Sequence, residues 1–352
     1  DSFGLDAKLK GSFSDWDLEI LSSLNSLNTS RLSEALRSRI TLKKSFNLNS
    51  KKELTNKNDF PNLKESHYLN NIGDYQKGVA SENKNKNENE NFDLNFIDFQ
   101  IYSVFREKVP KGYEGEEEIY FGNALSVAKK DTSLFNNVYK SSAFIYDVGF
   151  YKAKKKNENE FDDLLRNVFA FSYDYKFPLW IKKTSEEQIS QEFKYTPQII
   201  RPSIYWETNI DSGIFFYGNN TNQKAVAINT GPRMIYGNLK KNFFDYTNIN
   251  STFTYVNKSG ESPFAFDDIN DDTRLVFNWE QQIVGPVLFF YEATMPLNTS
   301  NKDYGKFVDF NYKLGFKRRA YEVSAYYRTS NDLFGIEFKI NNFDYGGITN
   351  SF

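Results

Sequence analysis

Apolar and aromatic side chains recur at every second position in several long stretches of this chain. Three stretches show the pattern most clearly: Phe144, Tyr146, Val148 and Phe150; Phe169, Phe171, Tyr173, Tyr175 and Phe177; and Phe334, Ile336, Phe338 and Ile340. The residues between them are mostly small or polar. A period of two is that of a β-strand, whose side chains point alternately to opposite faces. Each stretch therefore predicts a strand with one apolar and one polar face.

The length of these stretches favours strands that cross a membrane. A tilted strand needs roughly 9–11 residues to span a bilayer. Mean hydropathy is −0.64, yet aromatic residues make up 17% of the chain. A transmembrane β-barrel combines a polar lumen with aromatic belts at both membrane surfaces, and it suits this composition. The alternative is a soluble secreted β-sandwich or β-rich lectin, which also alternates but usually has shorter strands.

We predict an all-β fold, an antiparallel transmembrane β-barrel of roughly 14–18 strands with long polar loops. Turn signals separate the strands at Gly231-Pro232, 257–260, Gly285-Pro286 and 298–301. The candidate strands are 5–13, 16–21, 37–48, 93–106, 117–129, 141–153, 165–177, 196–209, 212–218, 224–237, 244–257, 272–284, 286–295, 305–318, 319–329 and 333–343.

Composition divides the chain into three regions. Residues 1–50 read as N-terminal strands, either the start of the barrel or the remnant of a periplasmic β domain, and residues 29–39 read as a turn into a strand or as one short helix. Residues 51–91 form a polar, low-complexity loop that cannot build a core, which we expect outside the cell. Residues 92–352 form the C-terminal barrel. The chain begins within a strand pattern, which suggests a mature or truncated piece.

Few residues are suited to catalysis. The chain has no cysteine, and His67, its one histidine, lies in a polar stretch. No serine-hydrolase, phosphate-binding or dinucleotide-binding motif occurs. The net charge of −2 gives no sign of nucleic-acid binding. We therefore expect neither an enzyme nor a cofactor.

One acidic run has the spacing of a calcium loop. Asp268, Asn270 and Asp272 stand at alternate positions, as the first ligands of such a loop do. Thr273 and Trp279 replace the glycine and glutamate that an EF-hand requires, so the run is not an EF-hand. A solvated acidic turn and a weak Ca²⁺ site both remain open.

An ordered set of short motifs resembles a known family. The set comprises Gly260, Glu261, Ser262, Pro263 and Phe264, followed by Phe266-Asp267-Asp268; Gln281 and Gln282 with Gly285 and Pro286; and Arg318 and Arg319 with Tyr321. In this order, over about residues 10–345, the chain resembles the cyanobacterial LptD-like proteins of outer-membrane lipopolysaccharide assembly.

The resemblance implies a barrel in the cell outer membrane that inserts lipopolysaccharide into the outer leaflet through a lateral seam. Its implied partners are lipopolysaccharide, outer-membrane lipid, a periplasmic lipopolysaccharide-bridge protein and the barrel-assembly machinery, which recognises a terminal aromatic residue such as Phe352. The chain departs from better-studied relatives because it lacks cysteines and has little room for a jelly-roll domain. A separate plug protein is therefore in doubt.

The last strand is the expected lip of this seam. We place it at residues 333–343 and single out Gly335, Ile336, Phe338, Ile340 and Phe343. Gly335 would either weaken packing at the seam or mark a bend. The adjacent arginines, Arg318 and Arg319, would contact phosphate or acidic sugar, or anchor the chain near lipid headgroups. The alternative function is a passive porin or solute channel.

Overall fold

A computed structural model describes residues 5–24, 36–48, 92–110, 116–156, 160–182, 202–237, 241–269, 271–318, 321–330 and 332–340. The fold is all-β and antiparallel, with fifteen strands in one sheet whose order follows the sequence. The strands are β1 Leu5–Phe13, β2 Trp16–Leu24, β3 Leu36–Asn47, β4 Phe92–Pro110, β5 Glu116–Phe135, β6 Val138–Lys154, β7 Phe161–Ile181, β8 Ser203–Tyr217, β9 Asn222–Gly237, β10 Tyr246–Gly260, β11 Asp272–Val284, β12 Val287–Pro296, β13 Val308–Lys317, β14 Tyr321–Arg328 and β15 Leu333–Ile340.

The predicted antiparallel all-β class is confirmed, and the described residues form fifteen strands, within the predicted range of 14–18. Strands β5 and β6 join through a two-residue turn, in which Asn136 and Asn137 have positive φ values of 49° and 63°. Such two-residue turns match the twist of a hairpin and favour asparagine. In the part of the chain described here, we find no helix long and apolar enough to cross a membrane.

Three sequence predictions about strand boundaries are wrong. The break predicted between the strands 196–209 and 212–218 lies inside one strand, β8, because the alternation of buried and exposed side chains continues through Asn209 and Asp211; residues 196–201 lie outside the described part of the chain. The turn predicted at Gly231-Pro232 lies inside β9. The turn at Gly285-Pro286 is present between β11 and β12, whereas the turn predicted at 257–260 is the end of β10. The loop 51–91, His67 and Phe352 lie outside the described residues.

The chain divides into two compact units. Unit 1 comprises Asp1–Tyr175, Asn209–Ile228 and Tyr255–Asp272, and unit 2 comprises Lys176–Thr208, Asn229–Thr254 and Thr273–Phe352. In unit 1 the rings of Phe144 and Phe171, on adjacent strands, lie 4.8 Å apart between centroids. This distance is typical of packed aromatic pairs, so aromatic cross-strand contacts support the sheet here.

In unit 1 one face of the sheet exposes aromatic side chains, and the opposite face buries polar side chains beside an apolar cluster. Phe144, Phe150 and Phe169 are more than half exposed, whereas Asp147 and Ser172, in the opposite phase of the same strands, are buried. Other polar side chains buried in unit 1 are Thr41, Asp98, Ser126, Lys130, Thr132, Arg166, Asn209, Asp211 and Gln223. In water, burial normally favours apolar side chains and exposure favours charged ones.

Unit 2 also exposes apolar side chains, on its strands and in the loop that precedes β10. Its most exposed examples are Leu179, Tyr236, Phe243, Phe244, Leu314, Phe334, Ile336 and Phe338. Strands β13, β14 and β15 pair in uninterrupted antiparallel register, with Phe316 opposite Val323 and Val323 opposite Phe338. These three residues form an outward apolar row across the end of the sheet.

Candidate functional site

The segment between β10 and β11 folds inward and is buried in unit 1. We call residues 261–269 the inserted loop; it contains the one-turn 3₁₀ helix Ala265–Asp267. Gly260 begins the segment with a positive φ of 77°, and a Cβ atom there would come within 2.2 Å of the Asn222 carbonyl oxygen. The Glu261 N–H donates a hydrogen bond of 2.9 Å to this same oxygen. Only glycine fits this close approach without strain.

Side chains of the inserted loop form a buried aromatic contact. Phe264 and Phe266 are almost fully buried, and their rings stack at 5.3 Å. The ring of Tyr217, at the end of β8, meets Phe264 edge-on at 5.9 Å. Ser262 fixes the local backbone, since its hydroxyl accepts from the Phe264 N–H at 3.0 Å. The carbonyl of Pro263 accepts from the Lys156 N–H at 3.0 Å. The first motif of the set thus starts and shapes this loop.

A buried arginine joins the inserted loop to the sheet. Arg166 of β7 is 1% exposed, and its Nε and Nη2 atoms donate to the two carboxylate oxygens of Asp267, the Nη2 bond being 2.8 Å. Its Nη1 atom donates to Asp147 of β6 at 3.0 Å. Such bidentate arginine–carboxylate pairs are among the strongest hydrogen-bonded contacts in proteins.

Tyrosine hydroxyls and one glutamine donate further hydrogen bonds to Asp147 and Asp267. Tyr102 of β4 donates to Asp147 at 2.7 Å, and its oxygen lies 2.6 Å from the hydroxyl oxygen of Tyr151. Tyr217 donates to Asp267 at 3.2 Å. Gln223 of β9 donates to the backbone carbonyl of Asp267 at 2.8 Å. We call Arg166, Asp147 and Asp267 the buried triad.

The buried triad links the inserted loop to the sheet through ion pairs. One guanidinium faces two carboxylates, and the hydroxyls around them donate to the carboxylates. All three side chains are at most 2% exposed, so the interactions act with little competition from water. The arrangement holds the inserted loop against β6 and β7.

A second internal ion pair lies in the same unit. Asp98 of β4 accepts from the Lys130 ammonium at 2.7 Å and from the Ser45 hydroxyl at 2.6 Å. Lys43 of β3 approaches the same carboxylate at 3.3 Å but is one-third exposed. Asp98 is therefore paired with cations of two other strands.

The acidic run predicted as a possible Ca²⁺ site is bound by lysines where it is described. Asp268 forms ion pairs with Lys156 at 3.1 Å and Lys258 at 3.4 Å. Asp272 lies at the start of β11, and Asn270 lies outside the described residues. Among the described side chains, no group of three or more His, Cys, Asp or Glu residues is arranged to hold a metal ion.

In unit 2 the second motif builds the turn between β11 and β12. Gln282, fully buried, accepts from the Asp245 N–H at 2.7 Å and donates to the carbonyls of Lys241 at 3.0 Å and Gly285 at 2.8 Å. Gln281 accepts from the Thr247 hydroxyl at 2.7 Å. These contacts give Gln281 and Gln282 the role of fixing the backbone.

The same turn continues toward β13. Pro286 accepts through its carbonyl from the Lys317 N–H at 2.8 Å. Arg318 stacks over the Phe316 ring at 5.2 Å, and its N–H donates to the Tyr321 carbonyl at 2.8 Å. Tyr321 is partly exposed and stacks on Phe316 and Phe338. Arg319 lies outside the described residues.

The predicted lip strand, β15, has two different faces. Ile336 is 73% exposed on the apolar face, whereas Glu337 on the other face is 51% exposed and accepts from Lys313 of β13 at 2.9 Å. Lys313 also lies 3.2 Å from Glu322 of β14. We call these three charged residues the terminal charge cluster; they stay partly accessible, in contrast to the buried triad. Phe343 lies outside the described residues, and Ile340 pairs through its backbone with Tyr321.

A steric contact explains why position 335 is a glycine. A Cβ atom at Gly335 would come within 2.4 Å of the hydroxyl oxygen of Tyr326, which lies opposite it on β14. The tyrosine ring therefore covers the glycine. Neither the weakened packing nor the bend expected from sequence is needed to explain this residue.

The buried triad is not apparent from sequence patterns alone. Asp147 and Arg166 stand in the polar phase of alternating strands, which is a weak signal that they face inward. Asp267 lies 101 positions from Arg166, and no local pattern predicts a pairing over that distance. The motifs around residues 260–264 and 281–286 lie in different units and belong to different local structures.

The fold defines the protein as an antiparallel all-β protein whose exposed face is apolar and whose charged residues pair internally. One family matches residues 1–68 and 70–344, and it is described as proteins of unknown function (DUF3769). Because the match covers nearly the whole chain, the protein belongs to this family. No curated protein matches the sequence.

Proposed function

We propose that this chain is an outer-membrane β-barrel that passes lipopolysaccharide into the outer leaflet at the edge formed by its last strands. The observation that carries the membrane part of the proposal is that one face of the sheet exposes aromatic side chains while the other face buries charged ones. Phe150 is 62% exposed, while Arg166 is 1% exposed. Lipid stabilises such exposed aromatic residues, and a closed sheet is the form in which strands can cross it.

The terminal strands support a path for an amphiphile. Their outer face presents Phe334, Ile336 and Phe338, which suit acyl chains, and the opposite face presents the terminal charge cluster. A lipid with a large charged head needs both environments side by side. Lys313 can bind a phosphate group directly, and Glu322 and Glu337 can bind one through a bridging divalent cation.

The inserted loop favours a lipid transporter over a passive porin. It fills part of the polar side of unit 1 with Phe264 and Phe266, which pack against Tyr151 and Tyr217. A porin conducts through a continuous water-filled lumen. Packed aromatic rings held by the buried triad work against such a lumen in this unit.

The membrane part is tested with a matched pair of adjacent residues. Since the chain has no native cysteine, Ile336→Cys and Glu337→Cys can each carry a nitroxide label in reconstituted vesicles. We expect the label at 336 to be accessible to oxygen in lipid, and the label at 337 to a water-soluble nickel complex. Water exposure of both labels, with protein that stays in solution without detergent, would instead favour the soluble β-protein.

The transport part is tested by depletion and by cross-linking. Depletion in the host should lower surface lipopolysaccharide and cause it to accumulate inside the envelope. A photoreactive residue at Phe338 should cross-link to lipopolysaccharide, whereas one at Phe150 in unit 1 serves as the matched control. Unchanged surface lipopolysaccharide with slower solute uptake would refute the transporter and favour the porin.

A further inference from the structure

A β-bulge near the start of β5 brings two successive side chains to the exposed face of the sheet in unit 1. The pairing of β5 with β6 shifts between Ile119 and Phe121. Ile119 is fully buried, whereas Tyr120 is 37% exposed and Phe121 is 41% exposed. A regular strand would direct neighbouring side chains to opposite faces, and a bulge redirects one of them. The ring of Tyr120 therefore lies on the exposed face beside Phe121.

Two cations lie beside the ring of Tyr120. The guanidinium carbon of Arg106, on β4, is 6.0 Å from the ring centroid, and the ammonium of Lys152, on β6, is 5.6 Å from it. Lys152 is exposed to the surroundings of the protein. Arg106 has a positive φ of 52°, a backbone conformation that is costly for an arginine and that is found more often at ligand sites. We call Tyr120, Arg106 and Lys152 the cationic cluster.

An apolar hollow of about 630 Å³ lies next to the cationic cluster. Its most exposed apolar side chains are those of Ile40, Ile101, Leu125 and Phe150. Between them lie the short side chains of Ser103 and Asn123, which are opposite each other on β4 and β5. The volume is within the range of small-ligand sites, roughly 300–1,000 Å³.

The strand register places the hollow and the cationic cluster in adjacent rows. Asn123 pairs with Phe150 of β6, so one row of the hollow crosses three strands. The next row on the same face consists of Phe105, Phe121 and Lys152. Alternate positions of a strand are about 7 Å apart. Lys152 thus stands at the edge of the hollow, one such step from Phe150.

We propose that the hollow and the cationic cluster bind one anionic phospholipid of the phosphatidylglycerol type. Its phosphate binds Arg106 and Lys152, and an acyl chain lies in the hollow. Charge complementarity selects this occupant, because two cations beside an apolar surface fit a phosphate that is joined to hydrocarbon. Tyrosines and basic residues are also typical of the membrane–water interface, where lipid phosphates lie. The site rests on the membrane part of the proposed function, but it does not require lipopolysaccharide transport.

The test locates a bound phospholipid by photolabelling. The full chain is reconstituted in phosphatidylcholine vesicles with a small fraction of phosphatidylglycerol that carries a diazirine in its acyl chain. After irradiation, proteolysis and mass spectrometry identify the labelled residues. We expect label in the hollow, stronger than that from a diazirine phosphatidylcholine. Unlabelled phosphatidylglycerol should compete, whereas inorganic phosphate should not.

Lys152→Gln should lower labelling of the hollow by about fivefold, and Arg106→Gln with Lys152→Gln should lower it by about thirtyfold, since each basic side chain near lipid headgroups adds attraction of this order. Lys140→Gln is the matched control and should label as the wild type does. Lys140 is an exposed lysine at the other end of β6 and lies over the Tyr175 ring at 5.8 Å. If the double variant fails to fold, Ser103→Phe, which fills the hollow, tests the same site.

Two failures can be told apart. Protein that enters the vesicles but takes equal label from both lipids, or keeps its labelling in folded Lys152→Gln and Ser103→Phe variants, would refute the phospholipid site alone. Protein that does not enter the vesicles would refute the membrane part of the proposed function as well.

Discussion

Replacing Arg166 by methionine would release the inserted loop. Methionine is a flexible apolar side chain that can fill the volume of the arginine stem without its charge. The substitution removes the three guanidinium hydrogen bonds to Asp147 and Asp267. It leaves two buried carboxylates that still accept from tyrosine hydroxyls, Asp147 from Tyr102 and Tyr151, and Asp267 from Tyr217.

The size of the effect follows from what remains in the site. Removing one partner of a buried ion pair costs about 3–5 kcal/mol, because the other charge stays buried without compensation. The tyrosine hydroxyls keep the cost toward about 3 kcal/mol. If this energy is lost from the closed form of the loop alone, the open population rises by about a hundredfold.

Cysteine labelling reports this population. Ala265, at the start of the 3₁₀ turn, is 4% exposed, and Ala265→Cys provides the only thiol in the chain. In the Ala265→Cys background a maleimide should react about a hundredfold faster when Arg166→Met is added. Glu261→Cys, at an exposed position, should react at nearly the same rate with or without Arg166→Met. A rise of less than about tenfold in a folded Arg166→Met protein would refute the idea that the triad holds the loop.

Three further predictions, on Gly335, Gln282 and Lys130, are tested by urea unfolding. Gly335→Leu should lower the free energy of unfolding by about 1–3 kcal/mol, because the new side chain clashes with Tyr326. Adding Tyr326→Ala should recover part of this loss. No recovery would contradict the steric explanation of Gly335. Gln282→Leu should lower the free energy of unfolding by about 3 kcal/mol, because three backbone groups lose their hydrogen-bond partner, and an unchanged midpoint would contradict this. Lys130→Met should lower the free energy of unfolding by about 3 kcal/mol, whereas Lys43→Met, at a one-third exposed site, should lower it by less than about 1 kcal/mol. The reverse order would show that burial does not set the strength of these ion pairs.

The strands were predictable because their signal is local. Alternation over ten or so residues, as in 141–153, is enough to predict a strand and its two faces, and β6 extends only a few residues beyond that prediction. The errors occurred where a local turn signal was stronger than the pattern around it. Gly231 and Pro232 are such a signal, yet they lie within β9, where Gly231 is buried and a Cβ atom would come within 1.9 Å of the Ser251 carbonyl oxygen. Close approach of the neighbouring backbone, which sequence alone does not reveal, explains this glycine.

The candidate site was less predictable because it depends on distant pairings. The motif residues from 260 to 264 did mark a special loop, but its inward fold rests on Asp267 meeting Arg166 from another strand. The motif residues around Gln282 proved to fix a turn. Sequence reasoning thus found the segments that carry unusual backbone structure, Asp267 included, and it did not find the pairing of Asp267 and Asp147 with Arg166.

The exposed aromatic side chains and the paired buried charges have a common physical cause. An apolar exterior leaves polar side chains no place except the other face of the sheet, and in unit 1 the inserted loop and its neighbours bury many of them from water. Charges that lose water must find partners within the protein, and Arg166 and Lys130 provide partners for Asp147, Asp267 and Asp98.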